Sequence, residues 1–240
     1  MRRNHTNNSS VKHDVFQKGM FLQSFRKLRN AHCRRHLTRR NIRLVLASAS
    51  PRRKELFHQA GLFPEILPSH KEERSRAKMP AALVKALSKT KAEDIAFSME
   101  ERPALVIGAD TIVVLDGRVL GKPKDKEDAA RMLRSLSGRT HHVYTGVTLV
   151  LSEEEHGGAP DIREESFFEK TAVEVYPLSE GEISAYVESG DPLDKAGAYG
   201  IQGAFGQYIR GIRGDYTSVV GLPLGRTIWE MKKLLFQKGE

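Results

Sequence analysis

Two periods of hydrophobic and polar residues alternate along the chain, one typical of strands and one typical of helices. Continuous or alternating apolar runs predict strands at 44–46, 63–68, 104–115, 119–120, 140–151, 167–176 and 208–213. Apolar residues three and four positions apart predict helices at 51–60, 80–99, 126–136, 180–188 and 223–235. Helices between strands, together with hairpins between neighbouring strands, predict an α/β fold with a mixed central sheet.

Local signals mark where several of these elements begin. Ser50 followed by Pro51 is typical of a helix start, because serine can cap free backbone N–H groups and proline lacks one. Asp125 and Ser179 are the predicted caps of two later helices. Asp116-Gly117, between two apolar runs, indicates a tight hairpin.

The first 41 residues differ in composition from the rest of the chain. They contain eleven of the 39 Lys and Arg residues and one of the 30 acidic residues, so the net charge of +9 belongs to this segment. Without sustained apolar periodicity, 1–41 is predicted to be a basic disordered extension, with room for a short helix near 21–28, ahead of one domain at 42–240. The extension is compatible with a targeting segment, a nucleic-acid-binding arm, or a biological start at Met20 or later.

Composition excludes several classes of protein. No apolar run approaches the roughly 20 residues that span a membrane, so we expect a soluble protein without a membrane partner. Cys33 is the single cysteine, which excludes an intramolecular disulfide and a cysteine-based zinc site and suits a reducing, cytoplasmic location. Because 42–240 is nearly neutral, nucleic acid is an unexpected partner except through the basic extension.

Two arginines occupy the first turn of the helix predicted after Pro51. Free backbone N–H groups and the positive end of the helix dipole already favour an anion there, so Arg52 and Arg53 are poorly placed for stability. Their presence predicts a polyanionic ligand such as a phosphate chain. A solvated basic helix start is equally compatible with the sequence.

Asp110 stands in a long apolar run directly after Gly108-Ala109. A buried carboxylate is costly unless a cation or hydrogen bonds compensate it. Such carboxylates concentrate at functional sites, which favours a functional role over the alternative of a β-bulge whose aspartate bonds local backbone. The irregular segment 190–203, with four glycines and a proline, also favours a ligand site. Taken alone, Lys122 and the Glu72-Glu73 pair are more typical of solvated surface residues.

Five motifs, in order and at similar spacing, resemble the Maf-type nucleotide pyrophosphatases, within the inosine-triphosphatase-like fold. They are Ser48-Ala49-Ser50-Pro51-Arg52-Arg53, Gly108-Ala109-Asp110-Thr111, Gly121-Lys122-Pro123, Ser137-Gly138, and Asp194-Lys195-Ala196-Gly197-Ala198-Tyr199-Gly200-Ile201-Gln202-Gly203. The resemblance covers about 42–236. It implies an α/β fold with a twisted mixed central sheet flanked by helices, and two lobes with an active-site cleft between them.

The resemblance also implies an activity and its residues. The implied reaction is hydrolysis of a nucleoside triphosphate to the monophosphate and pyrophosphate, by a homodimer that uses a divalent metal cation, Mg or Mn. Asp110 would be the proton acceptor and, with Glu73, a metal ligand. The implied phosphate-binding residues are Ser48, Arg52, Lys122 and Lys195. The implied base-specificity residues are Arg53, Thr111 and Gln202.

The run Ala-Tyr-Gly-Ile-Gln-Gly at 198–203 resembles the branch of the family that acts on dTTP and UTP. The sister branch acts on 7-methyl-GTP and is the nearest enzymatic alternative. His70-Lys71 departs from the family, because many members carry an acid before the glutamate pair, and this leaves open which acid binds metal. Two non-enzymatic alternatives are a nucleotide-binding regulator of cell division and a nucleic-acid-associated protein that works through the basic extension.

Overall fold

The computed structural model describes residues 31–72, 75–100, 103–154 and 159–236. Within them, seven strands form one sheet: β1 (Arg43–Leu46), β2 (Glu65–Ile66), β3 (Ala104–Leu115), β4 (Arg118–Leu120), β5 (Thr140–Glu153), β6 (Asp161–Val175) and β7 (Ile209–Arg213). The helices are α1 (Ala31–Arg39), α2 (Pro51–Gln59), α3 (Pro80–Ser98), α4 (Lys126–Leu136), α5 (Glu180–Glu188), α6 (Tyr216–Val220) and α7 (Leu224–Phe236).

The sheet is mixed, as the sequence predicts. Its strand order is β2-β1-β3-β5-β6-β7, and β4 pairs with β3 off this path. β1 runs parallel to β2 and β3, whereas β3, β4, β5, β6 and β7 form antiparallel pairs. The predicted α/β class with helices around a mixed sheet is therefore confirmed.

Two hydrophobic clusters lie on one face of the sheet, towards opposite ends of β3. The first-lobe cluster contains Ile107 and Ala109 of β3 and is covered by α1, α2 and α7. The second-lobe cluster contains Val113 and Leu115 of β3 and is covered by α4 and α5. The two clusters give the molecule the two lobes that the family resemblance implies.

Two glycines let α3 lie directly against the other face of the sheet. A Cβ added at Gly108 of β3 would be 2.2 Å from the carbonyl oxygen of Ser88. A Cβ added at Gly146 of β5 would be 2.3 Å from the carbonyl oxygen of Val84. Because no larger residue fits at either position, these glycines set how closely α3 approaches the sheet. Within the described residues, no helix combines the length and apolar character that a membrane crossing requires.

The predicted disordered extension 1–41 is wrong for its last eleven residues. α1 is a helix, and Cys33, Leu37 and Ile42 are buried in the first-lobe cluster. The sequence signal is weak because α1 has two turns and few apolar positions among basic ones. The remainder of the extension, 1–30, with the helix predicted near 21–28, lies outside the described residues.

Smaller differences concern the lengths of elements. The strand predicted at 63–68 is limited to two residues, and α6 has no counterpart in the sequence prediction. The segment predicted to be irregular, 190–203, contains two short 3-10 turns, Asp191–Asp194 and Ala196–Ala198, and a third turn, Ala204–Tyr208, follows it.

The packing of α1 predicts that Leu37 contributes to stability. We expect Leu37→Ala to lower the free energy of unfolding by about 2–3 kcal/mol, since a buried leucine is replaced by a cavity. The matched control is Arg35→Ala, on the exposed side of α1, which should change stability by less than about 0.5 kcal/mol. Urea denaturation measures both. Equal, negligible effects would show that α1 does not pack on the domain.

Candidate active site

One edge of β3 has a gap between two strand partners. β1 pairs with the first four residues of β3, and β4 pairs with its last three residues. Among the described residues, no strand pairs with 108–112 on that edge. An unpaired strand edge offers its backbone N–H and C=O groups to a ligand, so this gap between the two lobes is the candidate active site. Asp110 and Thr111 both lie in it.

The two gap residues face opposite sides of the sheet, as neighbours in a strand do. Thr111 separates the first-lobe cluster from the second-lobe cluster on its face. Asp110 faces α3, between a cluster that includes Val106 and one that includes Ile112. Polar residues therefore interrupt the hydrophobic core on both faces of the sheet at the same position along β3.

Asp110 is buried and paired with a lysine of α3. Its Oδ1 accepts a hydrogen bond of 2.7 Å from Lys91 Nζ, and its relative exposure is 7%. The ammonium group provides the compensation that a buried carboxylate needs. The alternative of a β-bulge at Asp110 is wrong, because β3 and β5 pair without a register shift from Ala104 to Val114.

Lys91 is the main residue of the site that the sequence does not reveal. Lys85 and Lys89 lie in the same helix, and nothing in the sequence distinguishes the three lysines. The close contact of α3 with Gly108 selects Lys91, because it sets which turn of the helix lies over Asp110.

Arg53 joins α2 to the gap through three hydrogen bonds. Its guanidinium donates to the carbonyl oxygen of Gly221 at 2.8 Å, to Ser48 Oγ at 2.9 Å and to Thr111 Oγ1 at 3.2 Å. A planar guanidinium with donors in three directions is thereby held in one orientation. The structure thus brings together Ser48, Arg53 and Thr111, three predicted site residues.

A chain of hydroxyl groups continues from Arg53 through the core. Thr145 Oγ1 donates to the carbonyl oxygen of Ser218 at 2.8 Å, and it also bonds Thr111 Oγ1 at 2.9 Å. Since the proton of Thr145 goes to Ser218, Thr111 must donate to Thr145 and accept from Arg53. The network therefore has one direction and ends at α6, the helix that the sequence does not predict.

Arg52 and Lys195 meet across the gap through an aspartate. Arg52 of α2 lies 3.5 Å from Asp194 Oδ2, and Lys195 Nζ donates to Asp194 Oδ1 at 2.6 Å. Lys195 also donates to the carbonyl oxygen of Asp191 at 2.6 Å and to its Oδ1 at 3.0 Å. The two predicted phosphate-binding cations are thus joined by a carboxylate.

Two tyrosines anchor the glycine-rich segment 190–203. Tyr199 is buried and its hydroxyl lies 2.7 Å from Nε2 of the buried His141. Tyr186 of α5 donates to Asp191 at 2.5 Å and accepts from the backbone N–H of Gly200 at 3.1 Å. Burial lowers the pKa of His141 to about 4, so its ring is neutral at neutral pH. Burial also raises the pKa of Tyr199, which therefore keeps its proton.

Three predicted site residues are not brought into this network. Lys122 and Gln202 are exposed, and neither makes a hydrogen bond or ion pair with another described residue. The backbone next to Lys122 is tied to the glycine-rich segment, since Gly121 accepts from the N–H of Gly197 at 3.0 Å. Glu73 lies outside the described residues. In the part of the chain that is described, no three His, Cys, Asp or Glu side chains form a metal-binding group.

Comparison with known proteins identifies the class. The family model described as "Maf-like protein" matches residues 43–234. The chain belongs to the Maf family. Curated relatives named "dTTP/UTP pyrophosphatase" include one from Agathobacter rectalis, 50% identical over 80% of this chain and 97% of its own length. Another, from Bacillus pumilus, is 52% identical over 77% of this chain and 93% of its own length.

The chain is also similar to a solved structure titled as a nucleoside-triphosphatase / dITP/XTP pyrophosphatase from Mycobacterium abscessus. The two are 13% identical, with a TM-score of 0.35, over 80% of this chain and 94% of the other.

The buried His141 predicts a loss of stability in mild acid. Its pKa is about 4 in the folded protein and about 6.5 when unfolded, so the unfolded state binds the proton more readily between these values. This group should contribute about 3 kcal/mol that is present above pH 6.5 and lost as the pH falls to 4. Denaturation at several pH values measures the slope.

Two variants make the measurement specific. His141→Gln should flatten the dependence of the unfolding free energy on pH between 6.5 and 4. His70→Gln, at an exposed position, should leave that dependence unchanged. Identical pH dependence in the wild type and His141→Gln would contradict the assignment of this titration to His141.

Proposed function

We propose that this protein is a nucleoside triphosphate pyrophosphatase that hydrolyses dTTP and UTP to the nucleoside monophosphate and pyrophosphate. The observation that carries the proposal is the buried pair of Asp110 and Lys91 in the gap of β3, where the next residue, Thr111, accepts a hydrogen bond from the fixed guanidinium of Arg53. Attack of water on a triphosphate needs a base and cations placed in advance. The names of the relatives and the 198–203 run support the choice of substrates.

The chemical step is assigned to Asp110. A water oxygen bonds to the α-phosphorus while the bond from that phosphorus to the bridging oxygen breaks, and pyrophosphate leaves with the bridging oxygen. Asp110 accepts the proton that the attacking water loses. Lys91 holds Oδ1 of Asp110, which orients the carboxylate and leaves Oδ2 as the acceptor.

The phosphate chain is bound by groups from both lobes. Ser48 and Arg52 come from the first lobe, and Lys122 and Lys195 come from the second. Ser48 is nearly buried, and its Oγ accepts from Arg53 and from the N–H of Ser50, so its own proton remains for a phosphate oxygen. Charge-assisted bonds from cations neutralise the charge that develops on the leaving pyrophosphate.

The base is recognised by Arg53, Thr111 and Gln202. Arg53 and Thr111 are fixed by the hydroxyl chain and present a rigid polar surface at the gap. Gln202 lies in the segment that Tyr199 anchors, and its neutral amide can both donate to and accept from the edge of a pyrimidine.

A divalent cation, Mg or Mn, is the proposed cofactor, as the family resemblance implies. Mg²⁺ is commonly held by one or two carboxylates together with phosphate oxygens of the substrate. Asp110 supplies one carboxylate, and Glu73 would supply a second. When bound, the cation would neutralise phosphate charge.

Two further properties rest on the family resemblance. We propose that the enzyme is a homodimer and that it works in the cytoplasm, where the buried Cys33 stays reduced. Sedimentation velocity of the purified chain tests the first property, and a monomer at all concentrations would contradict it.

The test of the assigned chemistry is Asp110→Asn, which removes the base and keeps the shape of the side chain. We expect kcat for UTP to fall by about a factor of 10³, a typical loss for a general base, while the variant remains folded. Pyrophosphate release measures turnover, and calorimetry shows whether UTP still binds. Wild-type turnover in the variant would contradict the role of Asp110.

A panel of nucleotides separates the rival functions. The proposal predicts that the wild type releases pyrophosphate from dTTP and UTP faster than from 7-methyl-GTP or unmodified purine nucleotides. A preference for 7-methyl-GTP would place the chain with the sister branch. Nucleotide binding without pyrophosphate release from any substrate would favour a non-catalytic regulator.

A further inference from the structure

The carboxylate of Asp194 lies between two cations that the proposed function assigns to phosphate. Its Oδ1 accepts from Lys195 Nζ at 2.6 Å, and its Oδ2 lies 3.5 Å from a guanidinium nitrogen of Arg52. Arg52 belongs to α2 in the first lobe, and Lys195 belongs to the glycine-rich segment in the second. One carboxylate group thus spans the two lobes at the phosphate-binding side of the site.

All the hydrogen-bonding capacity of Lys195 is taken up by this arrangement. An ammonium group has three N–H donors. The acceptors of Lys195 are also three: the carbonyl oxygen of Asp191, Oδ1 of Asp191 and Oδ1 of Asp194. The Lys195 side chain is 13% exposed, so the group is held inside the loop. A phosphate oxygen can bond Lys195 only if one of these acceptors leaves.

Asp194 is the acceptor that can leave at least cost. Asp191 is fixed by the hydroxyl of Tyr186 at 2.5 Å, in addition to its two contacts with Lys195. The Asp194 side chain is 66% exposed, and its contacts among the described residues are the two cations. Exposed ion pairs of this kind contribute little free energy and exchange readily with other anions.

The chemistry of a carboxylate makes it a good substitute for phosphate. A carboxylate is planar and a phosphate is tetrahedral, but both are oxyanions. Both accept charge-assisted hydrogen bonds from lysine and bidentate hydrogen bonds from arginine. Burial alone would raise the pKa of Asp194, but Lys195 and Arg52 lower it overall, so the group carries its charge at neutral pH. An ionised carboxylate therefore competes for the same donors as a phosphate oxygen.

We propose that the carboxylate of Asp194 competes with phosphate oxygens for Lys195 and Arg52, and so weakens binding of both the triphosphate substrate and the pyrophosphate product. The inference rests on the proposed function, because it takes Lys195 and Arg52 to be phosphate ligands. Substrate binding moves the Asp194 side chain aside, and its return to the cations helps to expel pyrophosphate. Asp194 is thus a positioning residue that sets affinity and touches no reacting atom.

The decisive variant is Asp194→Asn, which removes the competing charge. We expect the Kd for inorganic pyrophosphate and the KM for UTP to fall by about three- to tenfold, the effect of losing two exposed ion pairs. The value of kcat should not rise, because release of the product becomes slower. Asp194→Ala, which also removes the acceptor atom, should shift both constants in the same direction.

A matched control removes the same charge elsewhere. Asp116 is 65% exposed and pairs with Arg139 at 2.7 Å in the β3–β4 hairpin. Asp116→Asn changes the net charge equally and suits the positive φ of 50° at that position. Its pyrophosphate Kd should equal that of the wild type. An equal gain of affinity in Asp116→Asn would show that net charge, not the contact of Asp194, is responsible.

The result that overturns the inference is an unchanged or raised Kd for pyrophosphate in Asp194→Asn. That outcome would mean that Asp194 supports the two cations rather than competes for them. Failure of the proposed function is seen separately, as absence of pyrophosphate release from UTP by the wild type. Because calorimetry with inorganic pyrophosphate needs no turnover, it decides the inference in either case.

Discussion

The buried ion pair between Asp110 and Lys91 is the interaction on which the arrangement of the site depends. A carboxylate in the interior of a strand is tolerated only with a cation beside it. That cation comes from α3, and it reaches Asp110 because Gly108 and Gly146 let the helix backbone touch the sheet. The close contact between α3 and the sheet therefore determines both how the helix packs and which cation pairs with Asp110.

The rest of the site has a rigid part and an exchangeable part. The rigid part joins Arg53, Thr111 and Thr145 in a chain of hydrogen bonds with one proton direction, between the two hydrophobic clusters. The exchangeable part consists of Arg52 and Lys195 with the exposed Asp194 between them. This division suits a hydrolase that must hold the nucleobase of its substrate in one position and yet release a highly charged product.

The sequence predicts those features that depend on the residues of a single strand or helix. β3 has the predicted bounds, because its apolar run is interrupted at Gly108, Asp110 and Thr111 and nowhere else. Asp110 is recognisable as a site residue because a carboxylate in such an apolar run is costly to bury without a compensating partner. Lys91 is not recognisable, since its role depends on which turn of α3 lies over β3. The sequence also does not predict that α1 is ordered, because Leu37 and Cys33 are buried by contacts with other elements such as α7 and β1.

The central claim is that Asp110 and Lys91 stabilise each other, and a double-mutant cycle of unfolding free energies tests it most directly. Asp110→Asn and Lys91→Met should each be destabilising, because each leaves one charge buried or incompletely compensated. The double variant should lose less stability than the sum of the single variants, by at least about 2 kcal/mol. Additive losses in the cycle would contradict the claim that this pair organises the site.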